Sequence, residues 1–297
     1  MEHGQDRIGF VGVGRMGGNM ARRLKDVGYT LVGVYDSDGA KADSLAQELG
    51  CDVCANPAGI SEKADIILTV VTDDSVMRTI FDEEDKSSLV QHAQGRIFIN
   101  CATVSPRVHC DVERVVNSHG GETLEACMAS SMTQAREGTL YLMCGGKRDV
   151  FDRVRPLLDS LSVVCRYMGP AGEAAKVKAL VNMVMNANTV ALAEGLGLGA
   201  ALGVDIGLLR EVFSQTGAAS RVLDTDGADM EARDHECYFS AEHAAKDSRI
   251  ALSLAEELGM ALPVAKATYE QYQCLMEIGK GHLDKSGIAE LTFPGRL

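Results

Sequence analysis

A glycine-rich turn near the start of the chain places the strongest constraint on its fold. The turn follows an apolar run, residues 8–11, and precedes a stretch of helix formers, residues 19–27. Strand, tight turn and helix in this order present backbone amides to a dinucleotide pyrophosphate. Gly12 permits the turn, Gly14 lets the phosphates approach the backbone, and Gly17 lets helix and strand pack closely. The cofactor-binding residues predicted here are Gly12, Val13, Gly14, Arg15, Met16 and Gly17.

An acidic residue follows the turn at the distance that a dinucleotide site requires. Asp36 ends a second apolar run, residues 31–35, and lies 19 positions after Gly17. A carboxylate about 20 residues beyond the glycines binds the adenosine ribose hydroxyls in such sites. Its charge repels a 2'-phosphate, and no Arg or Lys occurs between Asp36 and Lys41, so we expect NAD rather than NADP. The alternative is a glycine turn beside a solvated aspartate.

Composition narrows the classes of partner. The 297 residues carry a formal charge of −13, which argues against nucleic acid and anionic membranes as partners. No apolar stretch reaches transmembrane length, and residues 1–6 lack the basic-then-apolar form of a signal peptide. Nine cysteines fit reduced thiols, and we expect a cytoplasmic protein. Cys51 and Cys54 have metal-binding spacing without a second pair, so we interpret them as part of a short strand and expect no metal site.

Two regions differ in their pattern. Strand-like and helical patterns alternate to residue 167, which predicts a parallel sheet with helical crossovers. The later strands are expected at residues 66–71, 97–101, 123–128, 139–144 and 163–167. After Gly169-Pro170, residues 172–202 contain helix formers without proline, enough for a helix of about 45 Å. Further helices are expected at residues 205–214, 240–258 and 263–277.

We therefore predict a Rossmann-type α/β domain, residues 1–167, followed by an all-helical domain, residues 168–297. The long helix joins them as a spine. Because this helix is apolar along its length, we expect it to bury one face against another subunit, in a homodimer or homotetramer.

Lys178 and Asn182 are the candidate catalytic residues. They lie four positions apart in the long helix, on one face and among apolar neighbours. Partial burial lowers the pKa of a lysine toward working pH, which suits a proton-transfer group. A surface lysine and an inter-helix asparagine are the alternative.

The segment from Gly9 to Met20 resembles the opening motif of the β-hydroxyacid dehydrogenase family, which includes 3-hydroxyisobutyrate dehydrogenase and tartronate semialdehyde reductase. The resemblance recurs in order at residues 103–106, 125–146 and 172–182, and at the pair Lys246-Asp247. It implies hydride transfer between NAD and a small, anionic β-hydroxy acid or semialdehyde. By the same resemblance, Lys178 is the acid/base and Asn182 holds the substrate. The remaining cofactor-binding residues would be Val71, Thr72, Thr103 and Lys246.

The substrate loop departs from the family pattern. Where the family has Asp-Ala-Pro-Val-Ser-Gly-Gly, residues 125–131 read Glu-Ala-Cys-Met-Ala-Ser-Ser. Ala129 removes the serine hydroxyl that receives the acid group in the family, and Ser130 and Ser131 replace glycines. A serine at a position that needs a positive φ is strained, so we expect an altered loop path. An unusual acid group such as a sulfonate, a neutral replacement and a different substrate class are all compatible with this change.

Three functions compete. The first is an NAD-dependent dehydrogenase or semialdehyde reductase. The second is a non-catalytic NAD-binding module, against which the presence of both Lys178 and Asn182 argues. The third is imine reduction, which usually proceeds without this lysine.

Overall fold

An eight-stranded sheet organises the first part of the chain. The computed structural model describes residues 6–296. Residues 1–5 and Leu297 lie outside the described residues. The expected lack of a signal peptide rests partly on residues 1–5. The strands are β1 (Arg7–Val11), β2 (Thr30–Tyr35), β3 (Asp52–Val53), β4 (Ile66–Thr69), β5 (Ile97–Asn100), β6 (Glu122–Met128), β7 (Leu140–Gly146) and β8 (Ser162–Gly169).

The strand order is β3-β2-β1-β4-β5-β6-β7-β8, and the six strands from β3 to β6 are parallel. Strand β7 runs antiparallel to β6, with Glu125 opposite Gly145, and β8 is parallel to β7. The sequence predicted a parallel sheet with helical crossovers, which is correct for β1 to β6, whereas β7 and β8 run opposite to these six strands. A parallel connection needs about a dozen residues or more, whereas residues 129–139 between β6 and β7 are too few for a helical crossover.

Helices cover both faces of the sheet. They are α1 (Arg15–Asp26), α2 (Gly39–Leu49), α3 (Pro57–Lys63), α4 (Asp74–Ile80), α5 (Pro106–Ser118), α6 (Met132–Glu137) and α7 (Arg148–Leu161), with a 3-10 helix at Leu89–His92. Alternate strand residues point to opposite faces. In β5, Ile97 and Ile99 therefore join one core cluster, while Phe98 joins the other. The result is a sheet between two helical layers, the Rossmann-type architecture that the sequence predicts.

The rest of the described chain is helical. Helix α8 (Glu173–Ala201) is the predicted long helix, and α9 (Ile206–Ser214), α11 (Ala241–Glu257) and α12 (Pro263–Glu277) lie close to their expected positions. Helix α10 (Arg221–Ala232) and a 3-10 helix at Lys285–Leu291 were not anticipated. Their core includes the fully buried Leu196, Tyr272 and Leu275. Among residues 6–296, no helix is apolar over the length that a membrane span requires.

Contacts divide the chain into two units between Lys178 and Ala179, inside α8. The sheet ends earlier, at Gly169. The boundary between residues 167 and 168 lies just inside β8 and stays a prediction.

Candidate active site

The turn after β1 is closed by backbone contacts that require glycine. Gly12 has a φ of +87°, and its N–H donates a hydrogen bond of 2.8 Å to the carbonyl of Tyr35. A Cβ on Gly12 would lie 2.4 Å from the carbonyl oxygen of Val70. A Cβ on Gly17 would lie 2.1 Å from the carbonyl oxygen of Gly12. Both positions therefore exclude side chains, because backbone atoms cannot move aside.

Gly14 has a different role. It precedes the first turn of α1, and a Cβ there would meet no protein atom within 4 Å. A glycine provides no side chain to cap the helix, and both Gly14 and Arg15 are exposed. Packing does not require glycine at position 14, whereas close approach of a pyrophosphate does. The residues present thus fit a dinucleotide.

The carboxylate of Asp36 is fixed against this turn. Its Oδ2 accepts a hydrogen bond of 2.8 Å from the N–H of Val13, and its Oδ1 accepts one of 2.9 Å from the N–H of Asp38. An open pocket of about 310 Å³ adjoins Val13 and is lined by Val13, Arg22, Ala40, Lys41, Ser44 and Leu45. Both cations in this pocket pair with carboxylates: Lys41 lies 3.1 Å from Asp38, and Arg22 lies 2.7 Å from Glu48.

The predicted cofactor residues Val71 and Thr72 follow β4, and Thr103 follows β5, so they lie beyond the carboxyl ends of neighbouring strands. The strand order changes direction between β1 and β4, and dinucleotides bind outside the carboxyl ends of the strands at such a switch point. The hydroxyl of Thr72 donates to Asp73, which caps α4. After β5, the N–H and hydroxyl of Ser105 both donate to Asp74, at 2.8 and 2.6 Å. These bonds tie the loop that carries Thr103 to α4.

The predicted substrate loop follows β6 without backbone strain. Arg233 is the one described non-glycine residue with a positive φ, and Ser131 has a φ of −98°. Ser130 and Ser131 thus avoid the positive φ at which a serine is strained, and the altered loop path stays a prediction.

The hydrogen bonds of this loop are local. The N–H of Ala129 donates to the carbonyl of Tyr141, and the hydroxyl of Ser130 accepts from the N–H of Tyr141, both at 3.0 Å. The N–H and hydroxyl of Ser131 both donate to the side-chain oxygen of Gln134. Both serine hydroxyls thus help to hold the loop in place.

Lys178 lies on α8 and is 8% exposed. Earlier in the same helix, Ala174 and Ala175 pack in a buried cluster with Cys127 of β6 and Met143 of β7. The first turn of α8 is thereby seated on the sheet, and Lys178 follows it directly.

Asn182 and Lys246 are brought together by a residue to which the sequence assigned no role. Asn182 is 1% exposed, and its Nδ2 donates a hydrogen bond of 2.5 Å to Asp247. The other carboxylate oxygen of Asp247 lies 2.8 Å from Nζ of Lys246. One turn further along α8, Asn186 donates to the carbonyl of Ala244 and to the hydroxyl of Ser248 on α11, both at 3.0 Å. The Lys-Asp pair was visible in the sequence, whereas its contact with Asn182 was not.

Glu125 was also missed as a functional candidate. This carboxylate of β6 is 3% exposed and accepts hydrogen bonds from the backbone N–H groups of Gly172 and Ala175. Burial raises the pKa of Glu125 to about 7, although the two amide donors act in the opposite direction.

Comparisons with known proteins agree with this geometry. Residues 7–169 match the family model for the NAD binding domain of 6-phosphogluconate dehydrogenase. Residues 172–292 match the model for the NAD-binding of NADP-dependent 3-hydroxyisobutyrate dehydrogenase. The chain is 30% identical over 287 residues to 2-hydroxy-3-oxopropionate reductase of Escherichia coli K12, with 96% of each chain covered. The chain belongs to the β-hydroxyacid dehydrogenase family.

Two further members of the β-hydroxyacid dehydrogenase family show how far the similarity extends. Glyoxylate/succinic semialdehyde reductase 1 of Arabidopsis thaliana is 28% identical over 284 residues, which cover 95% of this chain and 97% of the relative. The structure of Mycobacterium tuberculosis 3-hydroxyisobutyrate dehydrogenase with L-serine superposes with a TM-score of 0.85 at 24% identity. That superposition covers 96% of this chain and 98% of the other, and it shows the same fold. Membership makes this chain an oxidoreductase of the hydroxyacid dehydrogenase type with a nicotinamide cofactor.

Proposed function

We propose that this chain transfers hydride between NAD(H) and a small β-hydroxy acid or its semialdehyde, with Lys178 as the acid/base. The observation that carries the proposal is the burial of Lys178 on α8, directly after a helical turn seated on the sheet. The nicotinamide, when bound, accepts or donates the hydride. In oxidation, Nζ of Lys178 takes the proton of the substrate hydroxyl, and in reduction it returns a proton to the carbonyl oxygen. Asn182, oriented by Asp247, helps to bind the substrate.

The preference for NAD over NADP is supported by charge. Asp36 is held beside the turn by two backbone amides, where its carboxylate accepts from ribose hydroxyls and repels a 2'-phosphate. The nearby cations Arg22 and Lys41 pair with carboxylates, so neither offers an uncompensated charge to a phosphate.

We propose a small anionic substrate bound in part by residues 129–131. Ser130 and Ser131 keep polar groups in a loop that lacks the family's serine at position 129. The relatives act, by their names, on semialdehydes and oxo acids, and a carboxylate or a sulfonate is the acid group proposed here.

The test is NADH consumption with tartronate semialdehyde, methylmalonate semialdehyde, succinate semialdehyde and sulfolactaldehyde. Turnover on one of these, abolished in Lys178→Ala with NADH binding intact, is the expected result. Lys176→Ala is the matched control, because Lys176 lies on the same helix, is exposed and pairs with Glu173 at 2.7 Å. Turnover retained in Lys178→Ala would overturn the role of Lys178. Absence of turnover with all four aldehydes, while NADH still binds, would favour a non-catalytic binding module or another substrate class.

We also propose a homodimer or homotetramer. Large apolar side chains are exposed in the second unit, on α8 and the segments after it: Leu180, Val184, Leu198, Leu202, Leu208, Leu258 and Val264. Exposed apolar side chains in such numbers favour burial against a second copy. Light scattering is expected to give a mass of two or four chains, and a monomer mass would contradict the proposal.

A further inference from the structure

The carboxylate of Glu125 joins two parts of the first unit that are far apart in sequence. It extends from β6 to the start of α8, where the N–H groups of Gly172 and Ala175 donate to its two oxygens. These amides lie at the N-terminus of the helix, where an anion is favoured by the helix dipole. Lys178 follows Ala175 by three residues, within one helical turn.

The surrounding backbone leaves room for this contact. Gly145 lies opposite Glu125 in the β6–β7 ladder, and a Cβ on it would lie 3.1 Å from Oε2 of Glu125 and 3.2 Å from the amide nitrogen of Ala174. Glycine at position 145 thus lets the sheet, the carboxylate and the first turn of α8 meet closely.

Ionisable groups from α5, β6 and α8 surround the Glu125 carboxylate. His109 of α5 and Cys127 of β6 each have a ligand atom within 4.8 Å of the carboxylate, and burial lowers the pKa of His109 to about 4, so the imidazole is neutral. The charged and titratable groups that act on it from α5 and α8 are Cys110, Glu113, Glu173 and Lys176. Lys176 is exposed and pairs with Glu173, whereas the two amides donate directly to the carboxylate.

We propose that Glu125 is a positioning residue whose ionised carboxylate holds the first turn of α8 and thereby sets the position of Lys178. The proposal rests on the acid/base role of Lys178 proposed above. A hydroxyl oxygen is a weaker acceptor than a carboxylate oxygen, so one of the two bonds loses strength on protonation. Since the pKa of Glu125 is about 7, this loss falls in the working range of the enzyme.

The test uses the reduction direction, in which the two titrations separate. Lys178 must then be protonated, so its titration limits kcat at high pH, whereas protonation of Glu125 lowers kcat at low pH. Glu125→Gln is expected to lower kcat at pH 8 by about 10- to 100-fold, the size of effect that a displaced catalytic group produces. It is also expected to abolish the fall of kcat below pH 7 and to leave KM for NADH within about twofold. Glu125→Asp keeps the charge, so its kcat should still decrease below pH 7.

The matched control is Glu122→Gln. Glu122 begins the same strand, lies near the surface and pairs with Arg153 at 3.1 Å, so its loss should leave the pH profile unchanged. Lys178→Ala is measured in parallel. If Lys178→Ala retains turnover, the proposed function is wrong. If Lys178→Ala is inactive while Glu125→Gln keeps the wild-type kcat and its decrease below pH 7, only the positioning role of Glu125 is wrong.

A measurement on the unmodified chain covers the case in which Glu125→Gln does not fold. Hydrogen exchange at pH 8, where the carboxylate is ionised, is expected to show protected amides at Gly172 and Ala175, which donate to Glu125. Exchange of these two amides at the rate of an unprotected peptide would overturn the proposal.

Discussion

Asn182 of α8 donates a hydrogen bond of 2.5 Å to Asp247 of α11, which also pairs with its neighbour Lys246. One carboxylate therefore orients two side chains to which the family resemblance assigns substrate and cofactor contacts. Since Asn182 is buried, its amide has no water to replace this acceptor.

Asp247→Ala is expected to lower both stability and turnover. The buried amide of Asn182 would lose its acceptor, at a cost of about 1–3 kcal/mol in the free energy of unfolding. Because Asn182 would lose this orienting contact, we also expect a fall in kcat. Ser248→Ala is the control: Asn186 keeps the carbonyl of Ala244, so kcat should stay unchanged. Denaturant unfolding and steady-state kinetics check both variants, and an unchanged kcat in Asp247→Ala would contradict the orienting role.

Substitutions at two glycines of the turn should have different effects, one on the affinity for NADH and the other on the stability of the fold. Gly14→Ala places its methyl group in open space, so its free energy of unfolding should match the wild type. The same methyl group would stand where the pyrophosphate approaches, and the Kd for NADH should rise about tenfold, which is about 1.4 kcal/mol. Gly17→Ala would press against a backbone carbonyl and should destabilise the fold by about 3 kcal/mol or more. Calorimetry with NADH and thermal unfolding distinguish the two, and tight NADH binding by Gly14→Ala would place the phosphates elsewhere.

Asp36→Ser should narrow the preference for NADH over NADPH. Removal of the carboxylate removes both an acceptor for the ribose hydroxyls and a repulsion of the 2'-phosphate. A repulsion of about 1 kcal/mol or more between nearby charges corresponds to a change of about fivefold or more in the ratio of kcat/KM values. Asp43→Ser on α2 changes the net charge equally and should leave the ratio unchanged, since Asp43 is exposed on the helix, whereas Asp36 is bound to the N–H of Val13 in the turn. An unaltered ratio in Asp36→Ser would mean that Asp36 does not contact the ribose.

Ionisation of Glu125 should also make the free energy of unfolding depend on pH. Its folded-state pKa of about 7 lies above the ordinary value of 4.5, so its contribution favours the native state below pH 4.5 and is lost as the pH rises through 7. Gln does not titrate. The stability of Glu125→Gln relative to the wild type should therefore increase by about 2–3 kcal/mol between pH 5 and pH 8.

Urea unfolding at several pH values measures this difference. His109 titrates over a similar range and lies within 4.8 Å of the Glu125 carboxylate, so the comparison is repeated with His109→Gln in both proteins. A difference that stays constant with pH would show that the carboxyl of Glu125 ionises normally.

Local patterns sufficed for much of the fold. The glycine turn, Asp36 and the long apolar helix depend on residues close in sequence, and the structure has β1, β2 and α8 where those patterns place them. The direction of β7 was not read correctly, because alternation of apolar residues is the same in either direction. The shortness of the connection at residues 129–139 was the available signal. Helix α10 was missed, and Gly227 within it weakens the helical pattern.

The contacts of the site were harder to predict than its residues. Glu125 and Gly172 are 47 positions apart, and Asn182 and Asp247 are 65 apart. No spacing rule links residues at such separations, since only the folded backbone brings β6 to the start of α8 and α11 to its middle. A single sequence could therefore name Lys178, Asn182 and Lys246 by resemblance, while the carboxylates that hold their surroundings required the structure.

Because β7 returns antiparallel to β6, the segment between these two strands can be replaced without changing the rest of the sheet. Residues 129–139 connect the end of β6 to the start of β7. The base of this connection is formed by the opposed residues Met128 and Leu142 and by the hydrogen bond from the N–H of Ala129 to the carbonyl of Tyr141. An insertion or a transplanted sequence there would leave every parallel strand in register. The requirement on a donor sequence is that its helix fit against α1, where Arg136 pairs with Asp26. The proposed binding of substrate by residues 129–131 therefore predicts that grafting this one short segment changes the substrate range and leaves the parallel strands intact.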